Sequence, residues 1–171
     1  MNNVNTPYDD VFRTLLTDCK SLIIPVVNEV FGEHFTGEEK VVLKENEIFL
    51  RQQDGGGEKR ITDSSFAIVG IESDDSKQYH LECQSTADGS MLIRMYEYDS
   101  QIALKEGVLE GAVLNVHFPQ SAILYLRHNS NTPDIMKICI HTPGGRVSYP
   151  VMVMKVKGYD IDEIFEKKLL F

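Results

Sequence analysis

The sequence predicts a mixed α/β fold in one domain, and three observations carry that expectation. Segments of helical and strand period follow one another in the order α, β-β-β, α, β, with a hairpin and a helix added afterwards. The 171 residues, 42% of them apolar, suffice for one real core but hardly for two. No repeat, linker or low-complexity stretch divides the chain. A single domain over 1–171 is expected, with helices on a mixed sheet rather than a doubly wound parallel one.

The elements follow from their periods. Over 8–31, Val11, Leu15, Leu16, Leu22, Val26, Val27 and Val30 approximate a helical stripe, with Pro25 as a break or the start of a second segment. Asp9 and Asp10 are placed to cap it. VVLKENEIFLR (41–51) reads as a strand, QDGGGEKR (53–60) as a turn, and ITDSSFAIVGI (61–71) as a second strand. SDDSK (73–77) is a turn and QYHLECQ (78–84) a third strand. A helix over 90–106 follows, capped by Asp88 or Ser90, with Met91, Met95, Tyr98 and Ile102 as its core stripe. SAILYLRH (121–128) is apolar enough for a strand buried on both faces. DIMKICIHT and RVSYPVMVMKV flank HTPGG as a hairpin, and DIDEIFEKKLLF closes as an amphipathic helix starting near Asp160 or Asp162. The chain stops on Leu169, Leu170 and Phe171, which suggests a truncated C-terminus, although a docked helix would end the same way.

Composition narrows the function classes. A net charge of −9 argues against a general nucleic-acid binder with a basic surface. It leaves room for an enzyme with a local basic groove, or one that recruits cations to a carboxylate cluster. The polar start MNNVNTPYDD has no apolar signal region, and no apolar run approaches the roughly 20 residues that span a bilayer. Cys19, Cys83 and Cys139 show no CxxC spacing, so neither a disulfide framework nor a zinc ribbon is expected, and a reducing cytoplasm is the expected setting.

One face of the third strand concentrates polar chemistry. Leu81 and Cys83 point one way, and His80, Glu82 and Gln84 line the other. The second strand sorts Phe66 and Ile68 against Asp63, Ser65 and Ala67. If the two strands pair through the 73–77 turn, Asp63 and Glu82 meet beside Gln84. Two such carboxylates repel unless protonated or bridged by a cation, and hard oxygen donors suit Mg²⁺ or Mn²⁺. Removing either carboxylate would then hold or raise stability in the absence of metal. From spacing alone, a solvated sheet face accounts for the pair as well, as carboxylates usually lie in water.

The runs ITDSSFAI and YHLECQSTADGSMLIRMYEYD resemble the nuclease-like transposase branch of the PD-(D/E)XK superfamily and the related recombination-promoting nucleases. The opening YDDVFRTLL and the closing SAILYLRH and YDIDEIFEKKLLF are similar to the same family, so the resemblance spans nearly the whole chain. It implies a restriction-endonuclease-like αβββαβ core in a DNA-cleaving mobile-element protein, with Mg²⁺ or Mn²⁺ as cofactor, DNA as partner, no membrane, and a homodimer left open. It also implies that Asp63 and Glu82 bind the metal and that Gln84, at the superfamily's usual lysine position, orients water. Arg94 would contact a phosphate, with Tyr98 packing or hydrogen-bonding nearby. A neutral amide holds water but adds no charge, which keeps open a catalytically silent nucleic-acid-binding or protein-interaction module.

Other candidates carry less. His80 could be a third ligand or a general base, and Glu29 an upstream acid; a satisfied His80 and a helical face turned elsewhere for Glu29 are the plainer readings. Gly55, Gly56 and Gly57 suit a hairpin turn better than a phosphate loop, since no Walker spacing follows. Ser121, His117 and His141 form no nucleophile set. Pro133-Asp134 and Glu166-x-Lys168 spell the superfamily letters, but a turn and an exposed terminal helix do not bring them together.

Overall fold

The computed structural model describes residues 22–44, 47–51, 57–61, 64–71, 75–86 and 89–169. A six-stranded mixed sheet forms the middle layer. Its strands are β1 (Lys40–Leu43), β4 (Ser64–Val69), β5 (Ser76–Gln84), β8 (Gln120–Tyr125), β9 (Ile135–Thr142) and β10 (Gly145–Lys155). They lie in the order β1-β4-β5-β8-β10-β9. The pairs β1–β4, β4–β5 and β10–β9 are antiparallel, whereas β5–β8 and β8–β10 are parallel. Two small hairpins stand apart from this sheet: β2 (Glu47–Arg51) with β3 (Gly57–Ile61), and β6 (Val108–Glu110) with β7 (Val113–Asn115).

Helix α1 (Ile23–Phe31) covers one face of the sheet. Pro25 sits in its first turn, where a missing N–H leaves no helical bond unmade. Gly32 ends the helix at φ 67°, a left-handed conformation that a side chain would strain. Ile23, Val26, Val27 and Val30 pack with Phe66, Tyr79, Leu81, Cys83 and Leu124 into one apolar cluster. Helix α2 (Met91–Lys105) covers the opposite face, where Met91 and Met95 meet Ile123, Tyr125, Ile138 and Val151. The short α3 (Ile161–Glu166) joins the α1 layer through Ile164, and Asp160 closes its start with a capping box to Glu163.

Several expectations hold and several shift. The α2 stripe of Met91, Met95, Tyr98 and Ile102 is buried as its spacing requires. Ser90 stands at the N-cap without a side-chain capping bond, while Asp88, like the first part (8–21) of the helix expected over 8–31, lies outside the described residues. The strand expected over 41–51 is two strands in different sheets, and Gly57, expected in a turn, already begins β3. The strand expected over 61–71 is likewise divided between the end of β3 and β4. The hairpin expected over 134–156 is no appendage, because β10 inserts beside β8 in the central sheet. Pro150 fits within β10 because pairing with β8 starts only at Val151, so its missing N–H removes no bond on that side.

Candidate functional site

β5 is central and turns unlike residues to the two layers. Tyr79, Leu81 and Cys83 enter the α1 cluster, and His80 and Glu82 face α2. Parallel pairing sets His80 opposite Ser121, Glu82 opposite Ile123, and Gln84 opposite Tyr125. His80, Glu82 and Asp99 are each 0% exposed. Burial of three ionisable groups is costly unless each finds partners.

They find them in one another. His80 Nδ1 lies 2.8 Å from Asp99 Oδ1, and Nε2 lies 3.2 Å from Glu82 Oε1. Asp99 also accepts from Ser121 Oγ at 2.7 Å and from the Tyr149 hydroxyl at 2.9 Å. Arg94 donates to Glu82 Oε2 at 3.2 Å, and its guanidinium lies over the Tyr98 ring at 6.0 Å. Tyr98 in turn meets the His80 ring edge-on at 5.9 Å. Burial alone pushes the His80 imidazole down, but the hydrogen bonds and charges of Asp99 and Glu82 more than reverse this and raise it to about 9. At neutral pH His80 is therefore an imidazolium, donating from both nitrogens to two carboxylates. Burial, and then the Asp99 charge, hold the Tyr149 phenol above its ordinary value, so it remains a donor.

The sequence-derived candidates fall unevenly on this site. Glu82 and Arg94 are brought together, and the half-buried Gln84 follows Glu82 by one strand repeat. Tyr98 is 1% exposed and packs within the cluster. Asp63 lies outside the described residues. The expectation that losing Glu82 would hold or raise stability supposed a carboxylate set against another carboxylate. In the structure it lies between two cations, His80 and Arg94, so its removal is expected to lower stability.

Glu29 belongs to the other layer. It accepts from Tyr159 at 2.8 Å and Lys167 at 2.7 Å; burial opposes its ionisation, yet these partners lower its pKa overall. Asp134 precedes β9 and pairs with Lys155 at 2.7 Å, while Glu166 ends α3, so the literal PD and ExK letters do not converge. Ser121 is tied to Asp99, whereas His117 and His141 are exposed. Asp99 is the residue that sequence reasoning missed. Its signal was present, since it lies four residues after Met95 and three before Ile102, on the buried stripe itself.

An oxygen-rich strand end suits a hard divalent cation, but the set is incomplete among the described residues. Glu82 supplies one carboxylate and Gln84 an amide, and no group of three or more His, Cys, Asp and Glu side chains there could hold a metal. No described helix is long and apolar enough to cross a membrane. Among protein-family models, curated proteins and solved structures, none matches this chain.

Proposed function

We propose that the chain is a metal-dependent, nuclease-like domain that hydrolyses DNA phosphodiesters, of the PD-(D/E)XK transposase kind that its sequence resembles. The order of elements supports a restriction-endonuclease-like core: antiparallel β1, β4 and β5, then helix α2, then β8 parallel to β5. The observation that carries the reading is Glu82, a wholly buried carboxylate near the carboxyl end of a central strand, held between Arg94 and His80. Buried charged groups with specific charge partners are candidates for functional sites.

Asp63 and Glu82 would hold Mg²⁺ or Mn²⁺, and such an ion, when bound, supplies water activation and compensation of phosphoryl charge. The protein's own groups do the rest. His80 and Arg94 fix the two Glu82 oxygens, so the carboxylate is oriented before substrate arrives. Gln84 positions a water through its amide without adding charge. The Arg94 guanidinium supplies the positive charge that Gln84 lacks and can bind a phosphate oxygen in a forked geometry.

One observation favours the silent-module reading instead. Both Glu82 oxygens are already engaged by cations of the chain, an arrangement that needs no metal. Nicking of supercoiled DNA with Mn²⁺ or Mg²⁺ decides between them. The nuclease reading expects metal-dependent nicking that disappears in Asp63→Ala and in Glu82→Gln, the latter chosen to preserve volume. Absence of both nicking and Mn²⁺ binding at millimolar concentration would replace it with the binding module.

A further inference from the structure

Strand β9 is an edge of the central sheet. It pairs with β10 in unbroken register from Ile135 to Thr142, and among the described residues no strand lies on its other side. The Val153 N–H donates to the Asp134 carbonyl at 3.0 Å, which fixes the alternation along the strand. Met136, Ile138 and Ile140 turn their backbone groups to β10, and Ile135, Lys137, Cys139 and His141 turn theirs outward. Such a row of unpaired N–H and C=O groups is a template for another strand, and proteins blunt it with a short strand, a proline, a bulge or several charges. The opposite edge, β1, is four residues long. β9 has eight residues, no bulge, no proline, no carboxylate and a single lysine.

A groove of about 390 Å³ runs along this edge, between Ile138 and Ile140 of β9 and Leu92, Ile93 and Tyr96 of α2. Ile93 is 64% and Tyr96 40% exposed, so apolar surface stands in water beside unmade backbone bonds. The two features together call for an extended strand with apolar side chains at alternate positions. β9 is itself such a strand, since Met136, Ile138 and Ile140 all pack on the α2 side. It is also self-matching about Ile138. Laid antiparallel to its own copy, it sets Ile138 against Ile138, Met136 against Ile140, Lys137 against Cys139 and Ile135 against His141. Every outward residue then meets an outward residue, and no lysine faces a lysine. Charge permits the approach here: the chain carries −9, yet no Asp or Glu lies between Asp134 and Asp160, so copies that repel elsewhere meet at β9 without carboxylates.

We infer that β9 is a homodimer interface, in which two copies pair antiparallel about a two-fold axis at Ile138 and join their six-stranded sheets into one. The axis stands normal to the sheet, so both α2 helices lie on the same side and the copy's Met136, Ile138 and Ile140 close each groove. The same patch serves both copies, and the arrangement is closed because pairing consumes the edge that makes it. It is independent of the hydrolytic reading of Glu82, since β8 and β10 stand between β9 and β5.

The test is sedimentation equilibrium of the full chain under reducing conditions, over a concentration series, with circular dichroism as the check on fold. Wild type should dimerise. Cys139→Pro removes an outward N–H that β10 does not use, so it should give a folded monomer. Two further variants keep the backbone and change only an exposed side chain. Cys139→Lys puts a lysine opposite Lys137 twice, by symmetry, and should weaken the dimer about tenfold. Cys139→Glu puts a carboxylate there instead and should tighten it by a similar factor. A wild type that stays monomeric at every concentration overturns the interface, as does a dimer that Cys139→Pro and Cys139→Lys leave unchanged. Weakening by both charged variants overturns it too, because Cys139 would then face its own copy rather than Lys137. If Cys139→Pro fails to fold, the opposite signs of the two charged variants decide. Metal-dependent nicking by a monomeric wild type would uphold the hydrolytic reading while the interface falls, and a dimer without nicking does the reverse.

Discussion

The two faces of β5 are equally dry and chemically opposite. Leu81 and Glu82 are neighbours, both 0% exposed, yet one lies among Val27, Phe66 and Leu124 and the other between an imidazolium and a guanidinium. The apolar face tolerates local error, since a poor fit there forfeits dispersion and transfer energy only in proportion to the area affected. The charged face does not. Each of its groups was taken out of water on condition that a specific partner be present, so one deletion exposes the desolvation of several. Burial alone therefore does not say how a position responds to change.

The largest effect should come from the charged face. Asp99→Ala removes the acceptor of His80, Ser121 and Tyr149 together and leaves a buried cation with only Glu82. A loss of about 3–5 kcal/mol is expected from denaturant unfolding. Leu81→Ala on the other face should cost about 2–5 kcal/mol, depending on how far the site collapses. What separates the faces is coupling. The double variant His80→Ala/Asp99→Ala should cost less than the sum of its singles, because no charge is then left unpaired by Asp99, whereas Leu81→Ala should add to either. Strict additivity of His80 and Asp99 would show that they do not act as a pair.

The next effect separates the faces by pH. The folded pKa of His80, about 9, lies above its ordinary value of 6.5. A raised pKa means that the folded state holds its proton more tightly than the unfolded state. The stabilisation is therefore complete below about pH 6.5 and is lost as pH rises through about 9. The whole contribution is on the order of 3 kcal/mol. Urea midpoints in metal-free buffer should fall across that window for wild type and for Leu81→Ala alike, and fall much less for His80→Gln. An unchanged slope in His80→Gln would assign the titration to another group.

The same contrast explains what could be read from the sequence. Period-two alternation in YHLECQ gave both faces of β5, and period 3.6 gave the α2 stripe, because each pattern is local. Asp99 lies on the α2 stripe, but helical period alone does not say that a charged residue there finds partners. What makes this one internal is Ser121 on β8 and Tyr149 on β10, which only the parallel register of β5, β8 and β10 brings within reach. Hairpin β6–β7 was missed for another reason: its apolar residues Val108, Leu109, Val113 and Leu114 remain exposed, so no burial period marks them. Partners distant in sequence leave no local signature, and polar networks consist of little else.

The smallest effect compares two phenols, one at each face. Tyr149 donates to Asp99 Oδ2 at 2.9 Å, and among the described residues it is the one donor to that oxygen. Tyr79 donates to Glu33 Oε1 at 3.1 Å, but Glu33 also accepts from Lys77 at 2.7 Å and from Gln120 at 3.3 Å. Removing either hydroxyl deletes one bond to a charged acceptor and little volume. Tyr149→Phe leaves a buried carboxylate oxygen without its donor, so about 1.5–3 kcal/mol is expected. Tyr79→Phe leaves Glu33 near solvent with two other donors, so about 0.5–1 kcal/mol is expected. The ordering is the sharp part of the prediction, because both changes are chemically identical and both rings stay packed. Equal losses would mean that Asp99 Oδ2 recruits water once the phenol is gone, and that the α2 face is wetter than its closed network implies.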